Sequence, residues 1–577
     1  MNDHRPVLPR LLPFLRWPAV WAQQGLRGDL IAGISVALVM VPQSLAYAQL
    51  AGFPPQYGLY AAMLPAIVAA LFGSCAFLST GAVALTGMLT AASLSPLAPG
   101  GSPAFIALGV TLALVAGLIQ LLLGLLRQGW VLNLFSRPVF SGFTNAATLL
   151  ICFSQLPILI GAPGQRSSHL ADEFMRIANT LMHPHLPTLG FGLATLAALL
   201  LLRRFAPRLP GVLIVVVAAL AASDMLGFAA TGGAVVGHVP RALPHLGWPP
   251  LPDWDTLGNL LPVAFVVALV SFLEAAASAK RLSDQAGAHW DENQELIGQG
   301  LGKLAAALSG TLPTSASFSR SALNFSTGAR TGLSQLITAG LVVAATVSLA
   351  HQLYALPKAV LAAIILHAVG NLFDRRAMAR AWHVDRDDGV AAWVTFAATL
   401  VFAPNIQNGI LTGLLLSLSL LIWRSMKPRI ALLGLHEDGT YRDLERFDLA
   451  HPHPRMTILR FDGALHFVNA VRFTEAVDWA RRAQPEVAIV LLSGAGINAI
   501  DSTGLDALAQ VTQRMHDAGQ TLAICGLKKQ VVDVLERDAL WRQLAPHAAY
   551  RHEQAAIEAL RPLLNPEKTF DNTNLHP

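Results

Sequence analysis

The feature that most constrains this chain is a long segment without any charged side chain. Between Leu30 and Leu126 lie 97 residues that include no Asp, Glu, Lys, Arg or His. A water-soluble fold cannot keep so long a segment out of solvent, because its turns and loops must reach the surface. A lipid bilayer accepts it, since each span needs ~20 predominantly apolar residues. The segment therefore predicts several consecutive membrane spans.

Charge is distributed unevenly along the rest of the chain. Positions 1–427 hold 40 Asp, Glu, Lys and Arg residues (9%), and positions 428–577 hold 35 (23%). The second share is close to the roughly 25% that is typical of soluble domains. We therefore expect an N-terminal segment over 1–29, a membrane domain over 30–427, a soluble domain over 428–565 and a tail over 566–577.

Several classes of function are excluded by composition and spacing. The formal net charge is +5 without a basic stripe, which argues against nucleic-acid binding. Cys75, Cys152 and Cys525 lie in apolar surroundings without metal-type spacing, so we expect neither a disulfide framework nor a metal site. Neither a catalytic nucleophile arrangement nor a phosphate loop is present, so we expect no enzyme and no cofactor.

The apolar runs predict fourteen membrane segments. Two of them, near 80–94 and 318–328, are short and rich in Ser, Thr and Gly. The twelve longer ones are predicted near 30–50, 55–73, 104–124, 133–155, 187–203, 211–228, 257–280, 293–310, 332–350, 356–372, 389–403 and 406–424.

Orientation and internal symmetry follow from these segments. Lys and Arg collect at one set of span ends, which predicts that both termini are cytoplasmic in a cell membrane. Residues 36–49 match residues 267–280 at six of fourteen positions, and a similar offset brings 79–86 onto 317–324. Because seven spans separate the two copies, the second copy is inverted. We therefore predict a polytopic α-helical fold with a 7+7 inverted repeat, divided into core and gate domains.

Two charged residues, Glu274 and Arg320, lie well inside predicted spans. Each would cost several kcal/mol facing lipid, so each is expected to face protein or a polar pathway. One interpretation is a buried ion pair that only fixes helix packing. The other is function, because two short helices that begin within 79–82 and 317–320 would direct unpaired N–H groups and positive dipole ends at an anion.

Polar side chains near these helix starts add candidate ligands. Gln43 and Tyr47 share one face of the first helix, and Gln43 stands at the repeat position of Glu274. Ser and Thr hydroxyls in apolar helices also bond to their own backbone, which is the alternative reading for each of them. The candidate hydroxyl donors are Ser79, Thr80, Ser317, Ser319 and Ser321.

Three longer motifs stand out in the chain: VPQSLAYAQLAGFPPQYGLY (Val41–Tyr60), NQELIGQGLGKL (Asn293–Leu304) and SFSRSALNFSTGARTGLS (Ser317–Ser334). With these motifs and the soluble domain that follows, the sequence resembles the sulfate permease (SulP) family of anion transporters. The resemblance covers essentially the whole chain. One position departs from the pattern, because Ala82 follows Gly81 where many members have proline.

The resemblance implies a substrate between the third and tenth helices, with the first helix lining it, and no cofactor. It makes Glu274 the expected proton-coupling carboxylate, because proton uptake there and anion binding should favour each other. Motif positions and helix starts together give the expected substrate-binding residues, which are Gln43, Tyr47, Ser79, Thr80, Gly81, Val83, Phe318, Ser319 and Arg320.

The soluble part alternates β-like runs, at 456–461, 488–492 and 521–525, with amphipathic helices at 470–482 and 504–518. This alternation predicts an α/β fold. The stretch Ala488–Leu508 resembles a STAS domain, similar to anti-sigma factor antagonists, and Ser502 stands where those antagonists are phosphorylated. Residues Asp501–Thr503 also suit an ordinary helix N-cap. We expect this domain to be cytoplasmic, to support dimer assembly or to bind regulatory proteins.

The leading prediction is proton-coupled sulfate symport by alternating access, in a homodimer embedded in the cell membrane. Bicarbonate transport coupled to Na⁺ or H⁺, C4-dicarboxylate uptake and chloride or anion exchange stay open, because small anions make the same backbone contacts. An alternative of another class is a membrane-anchored STAS scaffold that presents its soluble domain to signalling partners. A scaffold has no need for Glu274, Arg320 or two broken helices.

Overall fold

The computed structural model describes residues 12–162, 175, 177–180, 182, 184–206, 209–249, 253–548 and 550–564. The first eleven residues of the predicted segment 1–29 and the predicted tail 566–577 lie outside this set. The chain divides into two compact units, Met1–Ser417 and Leu418–Pro577, and the division falls inside the last apolar helix. The boundaries predicted at positions 29, 427 and 565 stay predictions.

The first unit is built from helices and two very short strands. The strands β1 (Thr80–Gly81) and β2 (Ser315–Ala316) each precede a short helix. The helices are α1 (Trp17–Gln24), α2 (Arg27–Leu50), α3 (Gln56–Ala61), α4 (Leu64–Phe72), α5 (Ala84–Leu94), α6 (Pro103–Leu125), α7 (Arg137–Ile160), α8 (Leu186–Phe205), α9 (Gly211–Met225), α10 (Trp254–Ala286), α11 (Glu292–Leu308), α12 (Phe318–Ser326), α13 (Leu333–Leu349), α14 (Lys358–Val369), α15 (Arg375–Val384), α16 (Arg386–Val401) and α17 (Ile406–Met426).

Each of the fourteen predicted segments coincides with one helix or, for 55–73, with two, which confirms a polytopic α-helical fold. Among the described residues, six helices are long and apolar enough to cross a bilayer alone: α2, α6, α7, α8, α10 and α17. The second predicted segment is divided into α3 and α4, because the chain turns at Met63 and a new helix starts with Pro65 in its first turn. The amphipathic helix α15 was not predicted.

The helices form two bundles. In the first, α2, α4, α5 and α6 pack with α10, α11, α12 and α13; in the second, α7, α8 and α9 pack with α14, α16 and α17. Small residues permit close crossings, since a Cβ on Gly142 of α7 would lie 2.2 Å from the carbonyl oxygen of Ala392. The order of α2, the divided pair α3–α4, β1 and α5 recurs as α10, the single helix α11, β2 and α12, and β1 pairs antiparallel with β2. This agrees with the predicted inverted repeat of core and gate bundles.

The second unit is an α/β domain, as predicted. Its central strands β5, β6 and β7 are parallel, and β3 pairs antiparallel with β4 and β5, giving the order β4-β3-β5-β6-β7. The strands β3 and β4 were not predicted. Its elements are β3 (Arg429–Leu435), β4 (Tyr441–Asp443), β5 (Met456–Asp462), α18 (Ala470–Ala480), β6 (Ile489–Ser493), α19 (Ser502–Asp517), β7 (Thr521–Cys525), α20 (Lys529–Leu535), α21 (Leu540–Leu544) and α22 (Glu553–Leu564).

Candidate functional site

The two short helices of the first unit begin beside each other. The strand pair β1–β2 joins them, with Thr80 opposite Ala316, and the N–H of Ser317 donates to the carbonyl oxygen of Ser79 at 2.9 Å. Neither α5 nor α12 has a side-chain hydrogen bond at its N-cap. The first-turn N–H groups of both helices therefore lack side-chain acceptors, and two positive dipole ends lie near the strand pair.

The first short helix begins slightly later than the predicted range 79–82. Helix α5 begins at Ala84, because Thr80 and Gly81 form a strand that pairs with the second half of the chain. The backbone N–H of Ser79 donates to Ser321 Oγ at 2.9 Å, and Thr80 Oγ1 accepts from Gln299 Nε2 at 3.1 Å. These residues therefore join the two halves, while the buried hydroxyl of Ser79 has no hydrogen-bond partner.

Arg320 lies at the centre of this region. Its side chain is fully buried, with Nη1 donating to Gln43 Oε1 at 3.3 Å and Nη2 donating to the carbonyl oxygen of Ala82 at 3.0 Å. Its Nε has no hydrogen-bond partner. Among the described residues no carboxylate forms a salt bridge with it. The guanidinium thus connects α2, the start of α5 and α12, and carries a buried positive charge that neutral oxygens alone contact.

The other predicted ligands surround Arg320 at different depths. Tyr47 and Val83 are buried, and Tyr47 interacts electrostatically with Arg320. Phe318 and Ser319 are exposed, and the guanidinium carbon of Arg281 lies 5.3 Å from the centre of the Phe318 ring. The start of α12 therefore has one buried side, formed by Arg320, and one open side next to Arg281.

Glu274 belongs to the same cluster of polar residues. It lies on α10, is buried, and its Oε2 has no hydrogen-bond partner. The side chain of Ser315 and the charges of Arg320 and Lys303 interact with it. A buried carboxylate oxygen without a partner is costly unless the group carries a proton or meets a cation. The structure thus brings Glu274 and Arg320 into one cluster without forming the simple ion pair that packing alone would require.

The expectation of only two charges inside the spans is wrong, because α11 carries two more. Glu295, Gln299 and Lys303 recur every four residues on one face of α11 and are buried; we call them the α11 polar stripe. Their spacing within NQELIGQGLGKL was the available signal, since three polar residues at i, i+4 and i+8 mark a polar face.

The second unit contains the remaining candidate, Ser502. Asp501 caps α19, with Oδ1 accepting from the N–H of Gly504 at 2.8 Å and Oδ2 accepting from the N–H of Phe467 at 2.9 Å. Ser502 is the first residue of the helix and is exposed. The capping role therefore belongs to Asp501. Within the described part of the chain, no group of three or more His, Cys, Asp or Glu side chains could hold a metal ion.

Solved structures share this architecture. The murine solute carrier 26 family member A9 anion transporter, in the inward-facing state, superposes with a TM-score of 0.89 at 22% identity, covering 97% of this chain and 96% of that one. The transmembrane domain of a cyanobacterial bicarbonate transporter gives a TM-score of 0.59 at 23% identity, covering 68% of this chain and 98% of its own. At these identities the likeness concerns the fold.

Sequence comparisons identify the family. A probable sulfate transporter of Mycobacterium tuberculosis is 32% identical over 96% of this chain and 98% of its own length. The chloroplastic sulfate transporter 4.1 of Arabidopsis thaliana is 32% identical over 92% of this chain and 79% of its own length. The sulfate permease family model matches residues 26–395, and the STAS domain model matches residues 449–549. The chain belongs to the sulfate permease family and carries a C-terminal STAS domain.

Proposed function

We propose that this protein is a secondary active transporter of a small inorganic anion, and that it carries sulfate together with a proton by alternating access. One observation supports this most strongly: the buried, incompletely bonded Arg320 lies between two uncapped helix starts and shares a cluster with the buried carboxyl of Glu274. The sulfate transporters among the relatives support sulfate as the first substrate.

The electrostatics suit an oxyanion. Each helix start contributes roughly half a positive charge and Arg320 a full one, so the site carries about +2 before Glu274 is counted. An oxyanion bound there would accept hydrogen bonds from the first-turn N–H groups of α5 and α12 and from Arg320 Nε. Gln43, Tyr47, Val83, Phe318 and Ser319 would line the bound anion, with Ser79, Thr80 and Gly81 behind it.

Glu274 binds the co-transported proton. A deprotonated carboxylate in this cluster repels an incoming anion, whereas a protonated one does not. By linkage, an anion that favours the protonated carboxyl is itself favoured by protonation to the same extent. A proton and an anion therefore bind and leave together, which produces symport.

The positions of the substrate-binding residues suit alternating access. All of them belong to the core bundle of α2, α5, α10 and α12 with their connecting segments, so that bundle can carry the site past the gate bundle as one body. Lys and Arg at the span ends favour cytoplasmic termini in a plasma or bacterial inner membrane. In that orientation the open side next to Arg281 faces the cytoplasm, and the STAS domain supports a homodimer or binds regulatory proteins there, with Ser502 as a candidate phosphosite.

Sulfate uptake into proteoliposomes tests the proposal. Glu274→Gln should abolish the stimulation by an inward proton gradient and retain sulfate exchange, while Glu292→Gln on α11 serves as the matched control. Arg320→Gln should weaken apparent sulfate affinity about 10- to 150-fold, since a hydrogen bond to a charged group is worth ~1.5–3 kcal/mol. Unchanged proton stimulation in Glu274→Gln would overturn the coupling role.

The same vesicles separate the competing substrates and couplings. Uptake of labelled sulfate, bicarbonate, chloride and succinate is measured with pH and Na⁺ gradients imposed separately. Uptake of bicarbonate with a Na⁺ gradient, and no uptake of sulfate, would replace the proposal with Na⁺-coupled bicarbonate transport. A scaffold would transport none of the four anions.

A further inference from the structure

Lys303 is a buried charge that the proposed transport cycle does not use. It lies on α11, and its side chain is fully buried. Its ammonium donates one hydrogen bond, from Nζ to Gln120 Oε1 at 3.0 Å. Within the described residues no carboxylate forms a salt bridge with it. An ionisable side chain at this depth is expensive and requires a partner or a use.

The backbone holds this ammonium in place. Helices α6 and α11 cross through small residues, since a Cβ on Gly117 would lie 3.0 Å from the carbonyl oxygen of Gly300 and 3.0 Å from Cβ of Lys303. The stem of Lys303 is therefore enclosed at its base by α6. A side chain enclosed in this way cannot extend to the membrane interface, as lysines near helix ends do.

A chain of hydrogen bonds leads from Lys303 to the anion site. Gln120 Nε2 donates to the carbonyl oxygen of Ala268 at 2.6 Å and to Ser271 Oγ at 3.1 Å. Ser315 Oγ donates to the carbonyl oxygen of Ser271 at 2.7 Å, and Ser315 belongs to the strand that leads into α12. The ammonium and the start of α12 are therefore fixed relative to each other through one segment of α10.

Several ionisable groups lie near Lys303, and its charge acts together with theirs. Glu274, one turn beyond Ser271 on α10, interacts with both Lys303 and Arg320. On α11 itself, the carboxylate of Glu295 accepts from the N–H groups of Ser74 and Cys75. Tyr47 interacts electrostatically with Arg320 and Glu274. When Glu274 carries its proton, the two cations of this cluster, Arg320 and Lys303, add up to +2.

We propose that Lys303 supplies the second fixed positive charge of the anion site and thereby makes the site prefer doubly charged anions over singly charged ones. This rests on the proposed function. Coulomb energy is proportional to ligand charge, so removing a fixed cation costs a dianion twice the free energy that it costs a monoanion at the same position. The fold loss in affinity for a dianion should therefore be the square of the fold loss for a monoanion.

The experiment uses the full-length protein in proteoliposomes at pH 6. Competition against labelled sulfate gives apparent dissociation constants for sulfate and nitrate in the wild type and in Lys303→Met, Lys303→Gln and Lys303→Arg. In the two neutral variants we expect the square relation, for example about 25-fold weaker sulfate binding where nitrate binding is about 5-fold weaker. Lys303→Arg should keep the wild-type ratio, and the exposed Lys529→Met is the matched control.

Equal weakening of sulfate and nitrate in the neutral variants would overturn the inference, because a merely structural role does not depend on ligand charge. A changed ratio in Lys303→Arg would also overturn it. If Lys303→Met does not fold, Lys303→Gln, which keeps hydrogen-bonding capacity, provides the same comparison. A wild type that transports succinate and not sulfate contradicts the proposed substrate alone, and the same square relation is then measured with succinate against acetate.

Discussion

Replacing Glu295 tests whether the α11 polar stripe holds the loop before β1 in place. The Oε2 atom accepts from the N–H groups of Ser74 and Cys75 at 3.0 and 2.8 Å, and Oε1 accepts from Gln299 Nε2 at 3.1 Å. Gln299 in turn donates to Thr80 Oγ1. The carboxylate therefore holds the loop that leads into β1 and, through Gln299, β1 itself.

The expected loss of unfolding free energy is estimated from the hydrogen-bond donors that would lose their acceptor. Glu295→Ala leaves two backbone N–H groups unsatisfied, at ~1–3 kcal/mol each where they are buried, for a total of about 2–6 kcal/mol. Glu295→Gln keeps one acceptor oxygen and should lose only about 1–2 kcal/mol, because neutral hydrogen bonds are roughly half as strong as charged ones. The unfolding entropy is ~2 cal/mol/K per residue over about 400 residues. Each 1 kcal/mol of lost unfolding free energy therefore lowers Tm by roughly 1 °C.

Thermal unfolding of the purified full-length protein in detergent is the assay. We expect Tm to fall by about 2–7 °C for Glu295→Ala and by about 1–2 °C for Glu295→Gln. Glu292→Ala, one turn earlier on the same helix, removes a favourable charge near a helix N-terminus and a half-buried side chain beside Gly129, and should cost about 1 °C or less. Equal losses in Glu295→Ala and Glu292→Ala would refute the reasoning, because the loop would then not depend on the carboxylate.

Three further results are expected. Gly58→Ala should prevent correct packing, because its Cβ would lie 1.8 Å from the backbone oxygen of Ser44; Gly190→Ala, with no neighbour within 4 Å, should leave the yield of folded protein unchanged. Asp501→Ala should cost ~1–2 kcal/mol of helix capping, visible as faster amide exchange in the first turn of α19, and unchanged exchange would contradict the cap. Burial raises the pKa of Cys525 to about 12, so about one thiol in ten thousand is ionised at pH 8. Maleimide should therefore label Cys525 only after unfolding. Rapid labelling of Cys525 in the folded protein would contradict this.

The span pattern was predictable because it depends on local composition. Apolar length predicted the twelve longer segments, and the two short segments stood out by their Ser, Thr and Gly content. The motif around Arg320 was recognised from the family resemblance, which also gave Gln43 and Arg320 as expected ligands of one substrate. In these cases the deciding signal lies within some twenty residues of sequence.

The rest could not be predicted because the deciding contacts come from distant parts of the chain. Thr80 and Gly81 become a strand only because Ser315 and Ala316 pair with them, and a two-residue strand has no periodicity to detect. The polar face of Lys303 was visible, but its partner Gln120 belongs to another helix 183 positions away. The sequence pattern indicates that a buried polar side chain needs a polar partner, but it does not identify the residue that provides it.

The strand pair β1–β2 also sets the order in which the protein can be made. Its two partners are separated by more than two hundred residues, so when the ribosome has delivered the first seven spans, β1 has nothing to pair with and α5 lacks its contact with α10. The polar cluster around Arg320 is complete only after Ser315 to Arg320 have entered the bilayer. A nascent chain arrested before that point holds an unfinished polar surface inside the membrane, and the insertion machinery must shield it until the second half arrives.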